Sequence, residues 1–323
     1  MSRSLSLNLG LCVVILAAML LSLMAGKVWI PLDAWIAGDP RWPIIAELRL
    51  PRTVLAALVG AGLGLSGAAM QGYLRNPLAD PGLFGVSSGA ALGAVISLYF
   101  GYAAAPWLLP ASALAGAAIT MALLALLVGQ SGSIIVFTLA GVILSSVAGS
   151  MTALAISLAP TPFATAQIVT WLMGALTDRS WDDVRLALPL LALGCLLLAF
   201  TGRTLDALTL GESAARSMGV DPRRLQLLIV IGVALCVGAS VATAGIIGFV
   251  GLIVPHLVRP FVGNRPSAVL LPSALAGALL LLLADSLVRA IPTVSELRLG
   301  IAMSMLGGPF FLVLLLRMRR RFA

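Results

Sequence analysis

Residues 134–157 read IIVFTLAGVILSSVAGSMTALAIS, a run of 24 residues without a charged side chain. A run of this length can cross the hydrocarbon core of a bilayer as a helix, which takes about 20 apolar residues. Similar runs fill most of the chain, whose 323 residues are 60% hydrophobic and only 10% charged. Soluble domains carry about 25% charged residues. The composition therefore predicts an all-α integral membrane protein.

Apolar stretches of spanning length recur along the whole sequence, and we expect a single transmembrane domain over residues 1–323. Ten spans are predicted, at 7–26, 53–72, 83–101, 106–128, 134–157, 184–201, 225–243, 246–262, 269–288 and 300–316. Residues 1–26 also have the pattern of a cleavable secretory leader. We expect the segment to be retained, because it then gives five spans to each half of the chain.

The distribution of basic residues predicts the orientation, because Lys and Arg in short loops stay cytoplasmic. With ten spans, 12 of the 20 basic residues fall on the side of the two termini. Both termini are therefore expected in the cytoplasm. Since five spans precede the polar stretch at 160–183 and five follow it, residues 1–160 and 161–323 would be two repeats of inverted orientation.

The longest polar interruption is residues 202–224, GRTLDALTLGESAARSMGVDPRR, which fall on the predicted inner side. Within it, Thr209 or Gly211 would cap a short helix that has Glu212 in its first turn. Arg216 follows four residues later, an order that favours an ion pair and suits the helix dipole. Gly219 would end the helix. A charged helix at the inner surface predicts a contact with a soluble partner.

Six short motifs occur in a fixed order along the chain. They are Arg49-Leu-Pro-Arg52, Ser66-Gly-Ala-Ala-Met-Gln71, Asn76-Pro-Leu-Ala-Asp-Pro-Gly82, Gly211-Glu-Ser-Ala-Ala-Arg216, Gly245 to His256, and Gly307-Gly-Pro-Phe-Phe311. In this order they resemble the signatures of the membrane subunits of type II ABC importers for iron chelates, haem and cobalamin.

The resemblance implies a permease subunit of the bacterial inner membrane with ten helices. Its partners would be a second copy of itself, two cytoplasmic ATPase subunits and a periplasmic binding protein. The chain itself would have no catalytic residue, metal or cofactor, and ATP and Mg would bind the ATPase. Its only lysine is Lys27, so it has no Gly-rich phosphate loop ending in Lys. Haem is the expected cargo, with ferric siderophores and cobalamin as alternatives.

The resemblance also assigns roles to residues near the predicted outer surface. Arg49, Arg52 and Arg289 match arginines that meet acidic residues of the binding protein, where charges would steer encounter and fix register. Asp285 lies one turn before Arg289 and would neutralise it. Arg298 departs from the family pattern, and we expect it to add a docking charge or to line the mouth of the channel.

Other roles fall near the predicted inner surface. The residues expected to couple to the ATPase are Asp206, Gly211, Glu212, Arg216 and Gly219. Leu78, Ser133 and Ile134 match an inner gate, where an apolar constriction blocks passage by excluding water. His256 is the only histidine, and we interpret it as a structural residue rather than a haem ligand.

Two other classes of function are compatible with many membrane helices. A secondary transporter would carry buried acidic groups or histidines as relays, and Asp285 is the only acidic residue inside a predicted span. A receptor or scaffold would use the 202–224 insert without transport. The net charge of +8 does not indicate nucleic-acid binding, because the short loops cannot form a nucleic-acid-binding module.

Overall fold

A computed structural model describes residues 3–36, 38–101, 107–129, 134–293 and 295–322. These residues form α-helices joined by short irregular segments. In chain order the helices are α1 (Arg3–Met24), α2 (Leu50–Tyr73), α3 (Val86–Tyr99), α4 (Leu108–Val128), α5 (Ile134–Ser157), α6 (Pro162–Leu172), α7 (Trp181–Phe200), α8 (Gly202–Leu208), α9 (Glu212–Ser217), α10 (Pro222–Ala244), α11 (Val250–Val262), α12 (Pro266–Ala290) and α13 (Leu299–Phe322).

Each of the ten predicted spans contains one helix, and the all-α membrane fold is confirmed. Eight of the described helices are long and apolar enough to cross a bilayer. The other two, α3 and α11, have 14 and 13 residues. They are therefore about 20 Å long, whereas the hydrocarbon core is about 30 Å thick. The predicted spans 83–101 and 246–262 are wrong in length, because each helix begins only after an irregular segment.

The backbone explains both irregular segments. Before α3, Pro77 and Pro81 lack the amide hydrogen that a helix needs, and residues Pro81–Phe84 form one 3-10 turn. Before α11, Gly245 and Phe249 both have positive φ angles, of 68° each. A left-handed residue interrupts an α-helix. These breaks place non-helical backbone at the depth of the membrane, where it is tolerated only when buried in protein or lining a cavity.

The interval between the predicted spans 7–26 and 53–72 is partly helical. Residues Ile44–Arg49 form a π-helical turn that runs directly into α2. Pro51 does not interrupt this helix because it lies at the start of α2, where a missing amide hydrogen costs little. Arg49 and Arg52 are consequently helix residues. The sequence also gave no indication of α6, which Thr161 caps by accepting a hydrogen bond from the amide of Ala164.

The helices α2 and α10 form the centre of the bundle, and most of their side chains are buried. The first packs on α11 and α12, and the second packs on α3 and α4. The same arrangement thus occurs twice, with the two halves of the chain exchanged. It fits the predicted repeats, whose inverted orientation stays a prediction.

The contact between α2 and α12 depends on small residues. A Cβ atom at Gly60 would overlap the carbonyl of Gly277, and one at Gly64 would overlap the carbonyl of Ser273. Helices in a bilayer gain little from the hydrophobic effect, so close backbone approach supplies much of their attraction. This seam holds the two helices that carry the charged groups described below.

Replacement of Gly60 by alanine tests this seam. We expect Gly60→Ala to destabilise the protein by about 1–3 kcal/mol, because the backbone of α12 has to move away. Gly10→Ala is the matched control, since a Cβ at Gly10 meets no atom within 4 Å. Thermal unfolding in detergent measures both. Equal unfolding temperatures for the two variants would contradict the close packing.

Candidate functional site

A buried cluster of ions joins α2, α12 and the segment before α13 at the predicted outer end. The Arg52 Nη2 atom lies 2.8 Å from Asp285 Oδ1 and 2.9 Å from Glu296 Oε2. The Arg289 Nε atom lies 3.0 Å from Asp285 Oδ2. The carboxylate of Asp285 is only 1% exposed and therefore bridges two arginines. The expected pairing of Asp285 with Arg289 is confirmed, and Arg52 is a further partner.

Arg49 and Arg289 extend this cluster to the end of α1. Arg49 donates hydrogen bonds of 2.8 Å to the carbonyls of Leu23 and Met24, and one of 2.6 Å to the carbonyl of Val28. Arg289 donates to Ser22 Oγ. The last carbonyls of a helix have no partner within the helix, and a cation there also suits the helix dipole. The guanidinium of Arg49 therefore caps α1.

The surroundings of Glu296 favour its charged form. Burial alone would raise its pKa, but the hydrogen bond and charge of Arg52 and the hydroxyl of Thr177 hold the pKa below its usual value. The Thr177 Oγ1 atom donates to Glu296 Oε2 at 3.0 Å. Arg52 is therefore held between the carboxylates of Asp285 and Glu296.

These contacts change the interpretation of the four predicted docking arginines. Arg49, Arg52 and Arg289 are 9%, 8% and 5% exposed, and their guanidinium groups bind partners within the chain. Snorkelling at the membrane surface does not describe them. Arg298 is half-buried and lines a cavity of about 540 Å³ at the same end. A role of these arginines in docking stays a prediction.

At the predicted inner end, Asp206 of α8 holds the beginning of α12. Its Oδ1 atom accepts the amide of Ser267 at 2.9 Å, and its Oδ2 atom accepts Ser267 Oγ at 2.6 Å and Arg265 Nε at 2.7 Å. Burial would raise the pKa of Asp206, but these hydrogen bonds and the charge of Arg265 lower it. Asp206 therefore joins the insert to α12.

The helix α9 has the predicted ends. Gly211 and Gly219 flank it with φ angles of 101° and 83°, which glycine adopts readily. The predicted pair between Glu212 and Arg216 is wrong: Glu212 lies 3.6 Å from Arg75 instead. The sequence could not indicate this partner, because Arg75 belongs to the turn after α2. Among the described residues, the exposed guanidinium of Arg216 has no carboxylate partner.

The two predicted gate residues that the structure describes, Leu78 and Ile134, line different cavities. Leu78 lines a mainly apolar cavity of about 510 Å³ with Phe249 and Phe311, and Asp80 lies in the same wall. The Asp80 Oδ1 atom accepts a hydrogen bond of 2.7 Å from the amide of Gly82. Ile134 packs near Glu212 at the insert. Ser133 lies outside the described residues.

The ring of His256 lies edge-to-face against Phe310, with ring centroids 5.8 Å apart. Its neighbour along α11 is Arg259, and both line a polar cavity at the predicted inner end. Metal-binding groups of three or more His, Cys, Asp or Glu are absent from the described part of the chain. The contact with Phe310 gives the ring a packing role.

A bundle of membrane-spanning helices with an apolar cavity, a buried ionic end and an exposed charged insert belongs to the class of multi-pass transport permeases. Within that class, the chain belongs to the FecCD transport family, whose sequence profile matches residues 14–317. The family resemblance of the six motifs is confirmed.

Individual relatives cover nearly the whole chain. The ABC transporter permease protein YvrB of Bacillus subtilis (strain 168) is 41% identical over 94% of this chain and 91% of its own length. The vitamin B12 import system permease protein BtuC of Klebsiella pneumoniae is 38% identical over 97% and 94%. The hemin transport system permease protein HmuU of Yersinia pestis is 38% identical over 88% and 86%.

A solved structure has the same fold. It is described as a metal-chelate type ABC transporter in an inward-facing conformation, and it matches with a TM-score of 0.89 and 32% identity. The match covers 97% of this chain and 99% of the other chain. The protein is therefore an ABC transporter permease.

Asp285→Asn tests the ionic cluster. The change leaves two buried arginines without their shared carboxylate, and we expect a loss of about 3–5 kcal/mol in unfolding free energy. Asp182→Asn is the matched control, because Asp182 pairs with Arg185 at 2.9 Å while both side chains are exposed. Exposed pairs contribute about 0–1 kcal/mol. Similar unfolding temperatures for the two variants would show that the cluster is not a structural requirement.

Proposed function

We propose that this chain is the membrane subunit of an ATP-driven importer that takes up an iron-containing chelate, with haem as the first candidate. The observation that carries the proposal is the α9 helix, whose exposed Arg216 forms no ion pair with a described carboxylate, in a chain with only 10% charged residues. A related permease is named for hemin transport. Another is named for vitamin B12 import, so cobalamin and ferric siderophores are the alternatives.

The energy source would be a separate ATPase, and the permease would be non-catalytic. With Lys27 as its only lysine, the chain offers no phosphate-binding loop, and ATP and Mg would bind the partner. Two ATPase subunits would face a homodimer of the permease. Outward-facing apolar side chains on α5, such as Leu139 and Ile143, are exposed in the single chain and suit contact with lipid or with the second copy.

The orientation that we propose puts both termini and the insert in the cytoplasm of a bacterial inner membrane. The bias of basic residues supports it. The arginine cluster then lies at the periplasmic surface, near a binding protein. Arg298 is the docking residue that we favour, because its guanidinium has no carboxylate partner among the described residues.

The helix α12 is suited to transmit motion between the two ends. It has 25 residues and is therefore about 37 Å long. Asp206 holds its first turn, and Asp285 and Arg289 hold its last turns against α2 and α1. A displacement of the insert by the ATPase would move α12 as a rigid element. Rigid-body movement of packed elements is a common form of conformational switching.

The cavity beside Leu78 is the proposed path for cargo. Its walls are mainly apolar and come from both irregular segments, before α3 and before α11. Such segments lack a complete set of helical hydrogen bonds and can change conformation more easily than the helices beside them. Closure around Leu78 and Phe249 would exclude water and block the path.

Uptake by the assembled complex tests the function. Proteoliposomes would contain the permease and its ATPase, with loaded binding protein outside. We expect haem to accumulate with ATP and not with a non-hydrolysable analogue. Ferric siderophore and cobalamin, each with its own binding protein, are assayed in parallel. Uptake of cobalamin alone would replace haem as the cargo, and ATP-independent uptake of any of them would contradict the proposal.

Arg216→Glu tests the coupling helix without breaking a described internal ion pair. We expect at least tenfold weaker association with the ATPase, because a lost charged contact typically costs about 1.5–3 kcal/mol. Arg185→Glu makes the same change of charge at the opposite end and serves as control. Sedimentation of ATPase with proteoliposomes measures association. Unchanged binding in Arg216→Glu would remove α9 from the interface.

A further inference from the structure

A cavity of about 800 Å³ lies at the predicted inner end. It is formed where α2 ends, where α11 ends and where α12 begins. Its lining includes Arg75, Arg259 and His256, together with the amides of Asn76 and Asn264, and contains no carboxylate. The lining is therefore cationic and rich in hydrogen-bond donors.

The guanidinium of Arg259 is not neutralised by the described chain. Arg259 is half-buried in the last turn of α11, and it forms no ion pair with any described acidic group. Asp206, at the same end of the molecule, binds Arg265 and Ser267. Burying a charge without a partner is costly. An anion in the cavity would offset this cost.

Arg75 occupies a backbone position that normally selects glycine. Its φ angle is 51°. The amide of Asn76 donates to the carbonyl of Gln71 at 3.2 Å, and the amide of Arg75 donates to the carbonyl of Gly72 at 3.4 Å. This is the Schellman pattern that ends many helices, usually with glycine in the left-handed position. An L-residue there costs roughly 1–2 kcal/mol.

The backbone conformation therefore does not explain why position 75 holds an arginine rather than a glycine. Its only described carboxylate partner is Glu212, at 3.6 Å, with about 40% of both side chains exposed (41% and 44%). Such a pair contributes little. Residues with a strained backbone conformation cluster at functional and ligand-binding sites. Here the guanidinium lines the same cavity as Arg259.

The face of α11 opposite Arg259 is apolar. Leu257 and Phe261 are 49% and 63% exposed, and each lies two residues from Arg259 and so on the other side of the helix. In a bilayer these side chains would lie beside acyl chains. A basic pocket between membrane helices on the cytoplasmic side is a typical site for an anionic headgroup.

We propose that this cavity binds a phosphate-containing group with a net negative charge, with Arg75 and Arg259 as the cationic donors. A guanidinium can bind phosphate through two parallel hydrogen bonds. The phosphate would come from the headgroup of an anionic phospholipid or from free phosphate. The proposal does not depend on the transported cargo or on the ATPase.

Binding to the purified full-length permease tests the site. Three probes would be compared by native mass spectrometry in a neutral detergent: phosphatidylglycerol, phosphatidylcholine with the same acyl chains, and inorganic phosphate. Arg259→Gln should weaken binding of phosphatidylglycerol or of inorganic phosphate, whichever binds the unchanged protein, about tenfold. This is the effect of one lost charged hydrogen bond. Arg224→Gln is the control, because Arg224 is exposed at the same end and does not line the cavity.

Arg75→Gly gives a second, independent variant. Glycine relieves the left-handed strain, so the fold should be at least as stable as before while binding weakens. Preference for phosphatidylglycerol with no phosphate binding would identify a lipid headgroup, and phosphate binding alone would identify a free anion. Equal binding of both lipids, with no phosphate bound, would overturn the proposal. So would equal losses in Arg259→Gln and Arg224→Gln, or unchanged binding in Arg75→Gly.

Discussion

The carboxylate of Asp285 pairs with two arginines inside an apolar helical bundle, and the arrangement of the helices depends on this contact. In a medium of low dielectric constant, an unpaired guanidinium is far more costly than in water. Arg52 comes from α2 and Arg289 from α12, so the requirement for charge pairing fixes how these helices meet. Glu296 connects the segment before α13 to this cluster through Arg52. Ser22 and the last carbonyls of α1 connect the first helix to it through Arg289 and Arg49.

Polar contacts hold α12 at the other end of the molecule as well. At the opposite end Asp206 ties α8 to the first turn of α12, so one helix has polar attachments at both of its ends. Between these attachments α12 is held against α2 by glycine contacts that tolerate no added methyl group. The insert and the arginine cluster are therefore connected through α12.

The sequence predicted what depends on local chemistry. Long apolar runs predicted the helices, and glycines at both ends of α9 predicted its length. The spacing of Asp285 and Arg289 predicted their pairing. The sequence could not show that Arg52 meets a carboxylate 233 positions away, or that Glu212 turns to Arg75 rather than to Arg216. The lengths of the short helices α3 and α11 were overestimated, because apolar composition does not reveal a break that glycine, proline or left-handed backbone introduces.

The central claim is that this permease does no work by itself and moves cargo only when a nucleotide-driven partner moves the insert. The most direct measurement is haem accumulation in liposomes that contain the permease alone, under imposed proton and sodium gradients. The account predicts that the internal concentration never exceeds the external concentration under either gradient. Accumulation against the concentration difference, abolished by an ionophore, would contradict it and would identify a secondary transporter.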